Sequence, residues 1–458
     1  MHINLEYLLE MKKLLTVGLG LFTAVGAIYS VNCFIAEDID DQILSQVSDY
    51  NTLAGSQGQL HLIEVQKTAQ FFGALYRFKL FHSDQEITLP QCLSAELSLQ
   101  HSPIEWLQLD IAHGEIELNV ENSSHCPPLD EASMDRQVLN LFGQQIITGE
   151  LTLTFGSQLL GEFTTNGINF VEDDIALTVA PFIYRFEIDQ TGFEQHELLW
   201  SGFEFLDHAS FSSAYGGDLH YTSNLSFTEE FLLSANSSLS SEPIWYSDGQ
   251  RRSGFNAFEA DFSGTVTDGY LQGTGTAKIS ELTLNNLPIG TLTEKLTLTD
   301  FPYQQLSEIE INNEDFAQNL TPQAFQSQML QIIAGTRVTV EELSLTNNDA
   351  ELSIHGELRL TNTLNAPLDM KVNVGFNESF IAQLADIRTI SSQPFASPNA
   401  ADFQAESEKV RLSLEQLLEQ YGEAGYLIPD EAGGYDALIE LISGELIING
   451  ISLSEPVN

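Results

Sequence analysis

Apolar side chains two residues apart, with polar ones between them, dominate the chain from about residue 54 to residue 300. Gln59-Leu60-His61-Leu62-Ile63-Glu64-Val65, Ala176-Leu177-Thr178-Val179 and Ala277-Lys278-Ile279-Ser280-Glu281-Leu282-Thr283-Leu284 all carry this pattern, and the last runs into Asn285-Asn286. A period of two is the mark of a strand with one face buried. Turn signals at Gly216-Gly217, Asp248-Gly249 and Asp268-Gly269 punctuate the region. Together these features predict long antiparallel meanders.

One variant of the pattern recurs. Gly114-Glu115-Ile116-Glu117-Leu118, Gly149-Glu150-Leu151-Thr152-Leu153, Gly356-Glu357-Leu358-Arg359-Leu360 and Gly444-Glu445-Leu446-Ile447-Ile448 share Gly-Glu followed by a strand-like run. Their spacings of 35, 207 and 88 residues, taken by subtraction, are unequal, which excludes a solenoid of fixed period. We read the motif as a device for starting a strand. In the last copy the run enters Asn449-Gly450, a tight-turn signal.

Helical spacing appears at both ends of the chain. Ile39, Ile43, Leu44, Val47 and Tyr50 fall on one face of residues 37–53, behind Glu37, Asp38, Asp40 and Asp41, which predicts an amphipathic lead-in helix. Thr321-Pro322 is a cap followed by a first-turn proline; Phe325, Met329, Ile332 and Ile333 then share a face before Gly335. A strand pair over 337–346 and 350–360, a helix over 378–387 and a loop over 391–400 come next. A helix from Ala401 to Tyr421 carries the stripe Val410, Leu414, Leu417, Leu418 and Tyr421, with Gly422 as its stop.

Composition adds export and acidity to this picture. The 458 residues are 43% hydrophobic and 10% aromatic, ample for a packed core. Against 65 Asp and Glu stand 17 Lys and Arg, a formal net charge of −48, and between Lys79 and Arg251 the only basic residues are Arg136 and Arg185. Such a surface repels polyanions, so nucleic acid is excluded as a partner. Lys12-Lys13 precede the uncharged stretch Leu14 to Ala36, whose 23 residues would span about 34 Å as a helix, near a bilayer core. The lysines place that end in the cytoplasm and the body outside. Residues 1–36 are thus read as an N-terminal extension and signal-anchor helix, with Met1 and Met11 both open as the start.

Cys33 lies in the anchor. Cys92 and Cys126 are the only cysteines of the body, either a disulfide in an oxidising compartment or two separate thiols. His196-Glu197-Leu198-Leu199 begins like a zinc-protease helix, yet Trp200 stands where the second histidine is required. His113 and His355 read as edge or turn residues, and the pair Asp173-Asp174 reads as solvated surface. Arg251-Arg252, the one basic doublet outside the N-terminus, is a candidate anion contact, since Arg pairs with carboxylate or phosphate in a bidentate fork. No catalytic, cofactor-binding or metal-binding residue is assigned from the sequence, and no cofactor is expected.

Several of these features resemble the YdgA-like family of bacterial envelope proteins, a domain of unknown function. The lysine-flanked anchor, the amphipathic lead-in and the Leu-rich C-terminal helix carry the resemblance. So does the ending Gly425-Tyr426-Leu427, Gly434-Tyr435, Gly444-x-Leu446-x-x-Asn449-Gly450. Gly335-Thr336-Arg337-Val338-Thr339-Val340 looks like the family's strand after its middle helix, although the Ser-Pro of that stretch is absent, and Phe71-Phe72-Gly73 only partly matches the early aromatic motif. The resemblance implies an inner-membrane-anchored, single-pass protein with its body in the periplasm, and it supplies no catalytic residue.

The expected fold is α+β, mainly β: extended antiparallel sheet with a few amphipathic helices behind one transmembrane helix, divided into a β-rich region 54–300 and a mixed helix and strand region 301–458. The expected function is non-enzymatic, a tethered body binding an envelope protein partner or an apolar, lipid-like ligand. The rival from another class is a periplasmic hydrolase that uses scattered carboxylates on an envelope polymer.

Overall fold

A computed structural model describes residues 60–70, 73–82, 93–100, 110–120, 145–154, 158–172, 174–228, 231–312, 322–363, 366–392, 400–430 and 433–453. The expected anchor, the lead-in helix, Cys92 and Cys126 lie outside these residues. Among the described residues no helix is long and apolar enough to cross a membrane. The chain divides into two compact units, one of residues 1–170 and 177–201, the other of residues 171–176 and 202–458.

The first unit is built on an antiparallel meander. Its strands are β1 (Leu60–Gln70), β2 (Gly73–His82), β3 (Leu93–Gln100), β4 (Asp110–Val120), β5 (Gln145–Thr154) and β6 (Leu159–Thr165). After β7 (Ile168–Glu172) and β8 (Ile175–Val179), β9 (Phe182–Ile188) returns to pair with β6, and β10 (Phe193–Trp200) pairs with β9. The order β1-β2-β3-β4-β5-β6-β9-β10 follows.

Cross-strand partners share a face, so the register sorts the side chains. Leu97 faces Ile116, Leu151 faces Gly161, and Phe163 faces Tyr184 on one side. Leu97, Ile116, Leu151, Phe163 and Phe186 are all buried. On the other side Glu115 faces Glu150, Glu150 faces Glu162, and Glu162 faces Arg185. Alternation has become a two-faced sheet.

The Gly-Glu motif reads differently in three dimensions from its reading in sequence. Gly114, Gly149 and Gly356 lie inside β4, β5 and the later strand Ala350–Leu360, not at strand starts; only Gly444 precedes its strand. The reason is packing. A Cβ on Gly149 would collide with the Phe163 ring, and one on Gly161 with the Phe186 ring. Each glycine leaves the space that the aromatic ring of its cross-strand partner occupies.

The second unit carries the longest strands. In chain order these are β11 (Phe203–Asp207), β12 (Ser212–Gly216), β13 (Leu219–Thr228), β14 (Phe231–Ser241), β15 (Ile244–Ser247), β16 (Arg252–Phe255), β17 (Ala257–Thr267), β18 (Tyr270–Leu284) and β19 (Leu287–Phe301). Helices α1 (Tyr303–Asn312) and α2 (Pro322–Ile333) then lead to β20 (Arg337–Asn347), β21 (Ala350–Leu360) and β22 (Leu368–Phe376). Helices α3 (Glu378–Ser392) and α4 (Ala400–Glu423) precede β23 (Ile428–Pro429), β24 (Tyr435–Ile442), β25 (Glu445–Ile448) and β26 (Ile451–Ser452). The main ladder runs β13-β14-β17-β18-β19-β20-β21-β22-β24-β25-β26, antiparallel throughout. A side strip, β11-β12-β15-β16, joins it where Gly254 meets Thr283 of β18.

Two-residue turns close the hairpins. Asp268-Gly269, Asn285-Asn286, Ser443-Gly444 and Asn449-Gly450 all have positive φ at both positions, the backbone that matches strand twist. The C-terminal helix stops later than its sequence suggests. Gly422 lies within α4, and Gly425 at φ 79 provides the left-handed residue, with Tyr426 N–H donating to Tyr421 O at 2.8 Å. Helix α1 has no counterpart in the sequence reading.

Asn449 ties the ending together. Its Oδ1 accepts from Leu438 N–H at 2.8 Å, while its Nδ2 donates to the carbonyls of Gly425 at 3.3 Å and Tyr426 at 3.0 Å. Leu446 shares the face of Leu441 but sits near the sheet's edge, 37% exposed.

Candidate functional site

Four rows across β17, β18 and β19 define the inner face of the second unit. Phe258 faces Ile279 and Ile279 faces Leu292; Ala260 faces Ala277 and Ala277 faces Glu294. Phe262 faces Gly275, which faces Leu296; Gly264 faces Gly273, which faces Leu298. The face is the one on which α3 packs. From Leu292 the row continues through Leu345 and Leu352 to Phe376, whose ring lies 6.2 Å from that of Phe380 on α3. Helix α3, in which Ile381 and Ala385 are buried, is tied to this side by Gln383, whose Nε2 donates to Ile289 O. Helix α4 packs on α3, with a Ser407 hydroxyl donating to Asp386.

Alternate residues on β17 and β18 separate cleanly. Glu259, Asp261, Ser263, Thr274, Thr276 and Lys278 are exposed on the outer side, and their neighbours on the inner side are half-buried, or buried at Gly264. Among the inward positions of β17 to β20 in the rows above, Glu294 is the one charged side chain. It is in phase with Leu292, Leu296 and Leu298 along β19 and lies opposite Ala277 and Leu343. It is half-buried, and among the described residues it has no hydrogen-bond or ion-pair partner. Lys295, the next residue, points outward to an ion pair with Glu341.

Room adjoins this carboxylate. The Phe262 ring leans over Gly264 and Gly273, so a Cβ built on Gly275 would meet only the Asp261 carbonyl, at 3.8 Å. Ser241, on the same face opposite Phe258, is 9% exposed, and its hydroxyl has no hydrogen-bond partner among the described residues. Buried polar groups are nearly always paired, so an orphan on a largely apolar face merits a chemical account.

The residues singled out in the sequence lie elsewhere. Arg251 and Arg252 flank the β15–β16 turn, where the Asp248 carboxylate accepts from Gln250 N–H at 3.0 Å and Arg251 N–H at 2.7 Å. Those bonds, that from Arg251 first, hold the Asp248 carboxyl below its ordinary range. The Arg252 guanidinium stacks 3.8 Å from the Trp245 ring centroid, and its backbone N–H donates to Asn286 Oδ1. Cys92 and Cys126 fall outside the described residues.

His196 stands on β10, a strand, which removes the helical geometry of a zinc-protease motif. Its Nδ1 lies 2.7 Å from the Tyr184 hydroxyl, and its Nε2 lies 3.2 Å from Glu194 Oε2. His113 and His355 are within β4 and β21 and not at edges or turns, with His113 Nδ1 3.3 Å from the Thr152 hydroxyl. Among the described residues there is no group of three or more His, Cys, Asp or Glu placed to hold a metal ion. On the outer face of the first unit, Arg185 bonds Glu162 at 2.7 Å and Glu197 at 3.2 Å, and the Glu162 hydrogen bond is the main reason its pKa is raised.

Glu294 was missed in the sequence, though the signal was present: in Leu292-Thr293-Glu294-Lys295-Leu296-Thr297-Leu298 the acid occupies a leucine phase. Comparison with curated proteins and with solved structures finds no match. The family described as "Bacterial protein of unknown function (DUF945)" matches residues 11–456, nearly the whole chain, and the protein therefore belongs to that family.

Proposed function

We propose that the protein is a non-enzymatic component of the bacterial envelope, tethered by residues 14–36, whose β-rich body binds an apolar, lipid-like ligand on the inner face of β17–β19. The single observation that carries the reading is the room at Gly275, where among the described residues an added Cβ would meet only the Asp261 carbonyl, flanked by half-buried apolar rows on a long sheet. The YdgA-like ending and the lysine-flanked apolar stretch support the envelope location, outside the cytoplasm.

Binding of this kind needs no reacting groups. Apolar area removed from water contributes roughly 25 cal/mol per Å², so a chain laid along the rows gains affinity from contact alone. A photoreactive phenylalanine analogue placed at Phe262, on the inner face, and separately at Ser263, on the outer face, tests the reading in intact cells. Lipid-like adducts at position 262 and none at 263 are expected. Equal labelling at both positions, or none at 262, refutes it.

A further inference from the structure

We infer that Glu294 receives the head of that ligand, which makes the ligand an amphiphile with an apolar chain and a cationic, hydrogen-bond-donating head such as a primary ammonium. The inference rests on the binding reading above and adds the chemistry of the head.

The argument begins from cost. A carboxylate at an inward strand position gives up part of its hydration, and an apolar neighbourhood of Leu292, Leu296, Leu343 and Ala277 returns none of it. Ion pairs elsewhere on this sheet show the usual remedy: Glu341 has Lys295, and Glu440 has Lys371 at 3.0 Å. Glu294 has no such neighbour among the described residues. A partner supplied from outside the chain satisfies it, and complementarity of charge requires that partner to be cationic.

Shape selects a thin occupant. Ala260 and Ala277 carry only methyl groups and Gly275 carries nothing, so the ground beside Glu294 is low. Phe258, Ile279 and Leu292 rise on one side of it, and Phe262 rises on the other. An alkyl chain fits such a lane. The acid at one point of the lane and the apolar walls along it match the two ends of one molecule.

The experiment uses the full chain in nanodiscs of zwitterionic phosphatidylcholine and three photoreactive probes of equal alkyl length, ending in a primary amine, an alcohol or a carboxylate. Adducts on β17–β19 peptides are quantified by mass spectrometry. The amine is expected to label roughly tenfold more strongly than the alcohol, and the carboxylate least, as one charge-assisted contact predicts. Glu294→Gln, nearly isosteric, should reduce the amine to the level of the alcohol, while Asp261→Asn on the outer face should change nothing. Gly275→Leu, which fills the lane, should suppress all three probes, and circular dichroism with thermal melting confirms that each variant is folded.

An amine preference that survives Glu294→Gln, or falls equally in Asp261→Asn, overturns the inference and assigns the effect to the general acidity of the surface. Equal labelling by amine and alcohol in the unmodified chain overturns it too, while leaving the apolar site in place. Labelling by none of the probes removes both. Protein adducts in place of amphiphile adducts at Phe262 in cells give the face to a protein partner and likewise overturn the inference.

Discussion

Replacing Gly149 by alanine separates two accounts of the same residue. Intrinsic preference favours the change, because glycine inside a strand is less stable than alanine by roughly 0.5–1 kcal/mol. Packing opposes it. The new methyl would lie inside contact distance of Phe163 Cδ1 and Cε1, with Cγ the third atom at 3.0 Å. The ring has little freedom to retreat: Phe163 is 3% exposed and stacks 5.8 Å from Phe186 and 6.5 Å from Tyr184. Overfilling a packed site costs about 1–3 kcal/mol, so the net loss should be about 1–2 kcal/mol. For a unit of this size that lowers the melting temperature by roughly 2–8 °C. Thermal melting of Gly149→Ala, Phe163→Leu and the double variant measures the coupling, and the double variant should be less damaged than the sum of the two by about 1 kcal/mol. A Gly149→Ala protein that melts at or above the unmodified one, or strict additivity in the cycle, refutes the claim that this glycine makes room for a ring.

Three further expectations follow from other parts of the molecule. Glu150 faces Glu115 and Glu162 across two ladders, so Glu150→Gln should stabilise by about 0.2–1 kcal/mol at low ionic strength, and denaturant melts should show the gain fading towards 1 M salt. Asp207 is held below the ordinary carboxylate range, chiefly by the Ser210 hydroxyl. A depressed folded-state pKa contributes stability above the unfolded value and loses it as pH falls through the folded one, so Ser210→Ala should move the Asp207 carboxyl titration, followed by NMR, upward, and an unmoved titration contradicts this. Asn449 at φ 50 combines a left-handed backbone with three side-chain hydrogen bonds. Asn449→Ala should therefore cost about 2–4 kcal/mol in chemical denaturation, and Asn449→Gly, which tolerates the backbone, should cost less.

Where the determinants are local, the sequence was a good guide. The pair β20 and β21 matches the alternation of residues 337–346 and 350–360 almost residue for residue, because each strand is specified by its own period and by the turn between them. Helix α2 follows its proline and its apolar stripe in the same way. The role of Gly149 was illegible, since it depends on where the Phe163 ring arrives from another strand. The end of α4 was misjudged because Gly422 and Gly425 are chemically alike and only the backbone conformation distinguishes them. Leu446 shares the phase of Leu441 yet is 37% exposed, because phase gives the face and position in the sheet gives the depth. The acid at 294 was legible in phase but was one of 65 in the chain. The open ground at Gly275 was not legible, because it depends on the direction taken by one phenylalanine ring.

The two-residue turns have a consequence for how the sheet comes into being. Each of Asp268-Gly269, Asn285-Asn286, Ser443-Gly444 and Asn449-Gly450 joins strands adjacent both in the chain and in the ladder. Closing such a small loop costs little chain entropy, so β17, β18 and β19 can zip onto one another in sequence order without waiting for distant segments to meet. Large all-β proteins are slow folders when their pairings are remote; here β17, β18 and β19 each pair with the strand next in the chain. Lengthening the Asp268-Gly269 turn with flexible residues would therefore delay the nucleus more than it weakens the finished sheet, a kinetic signature that a mainly thermodynamic role for the turn would not produce.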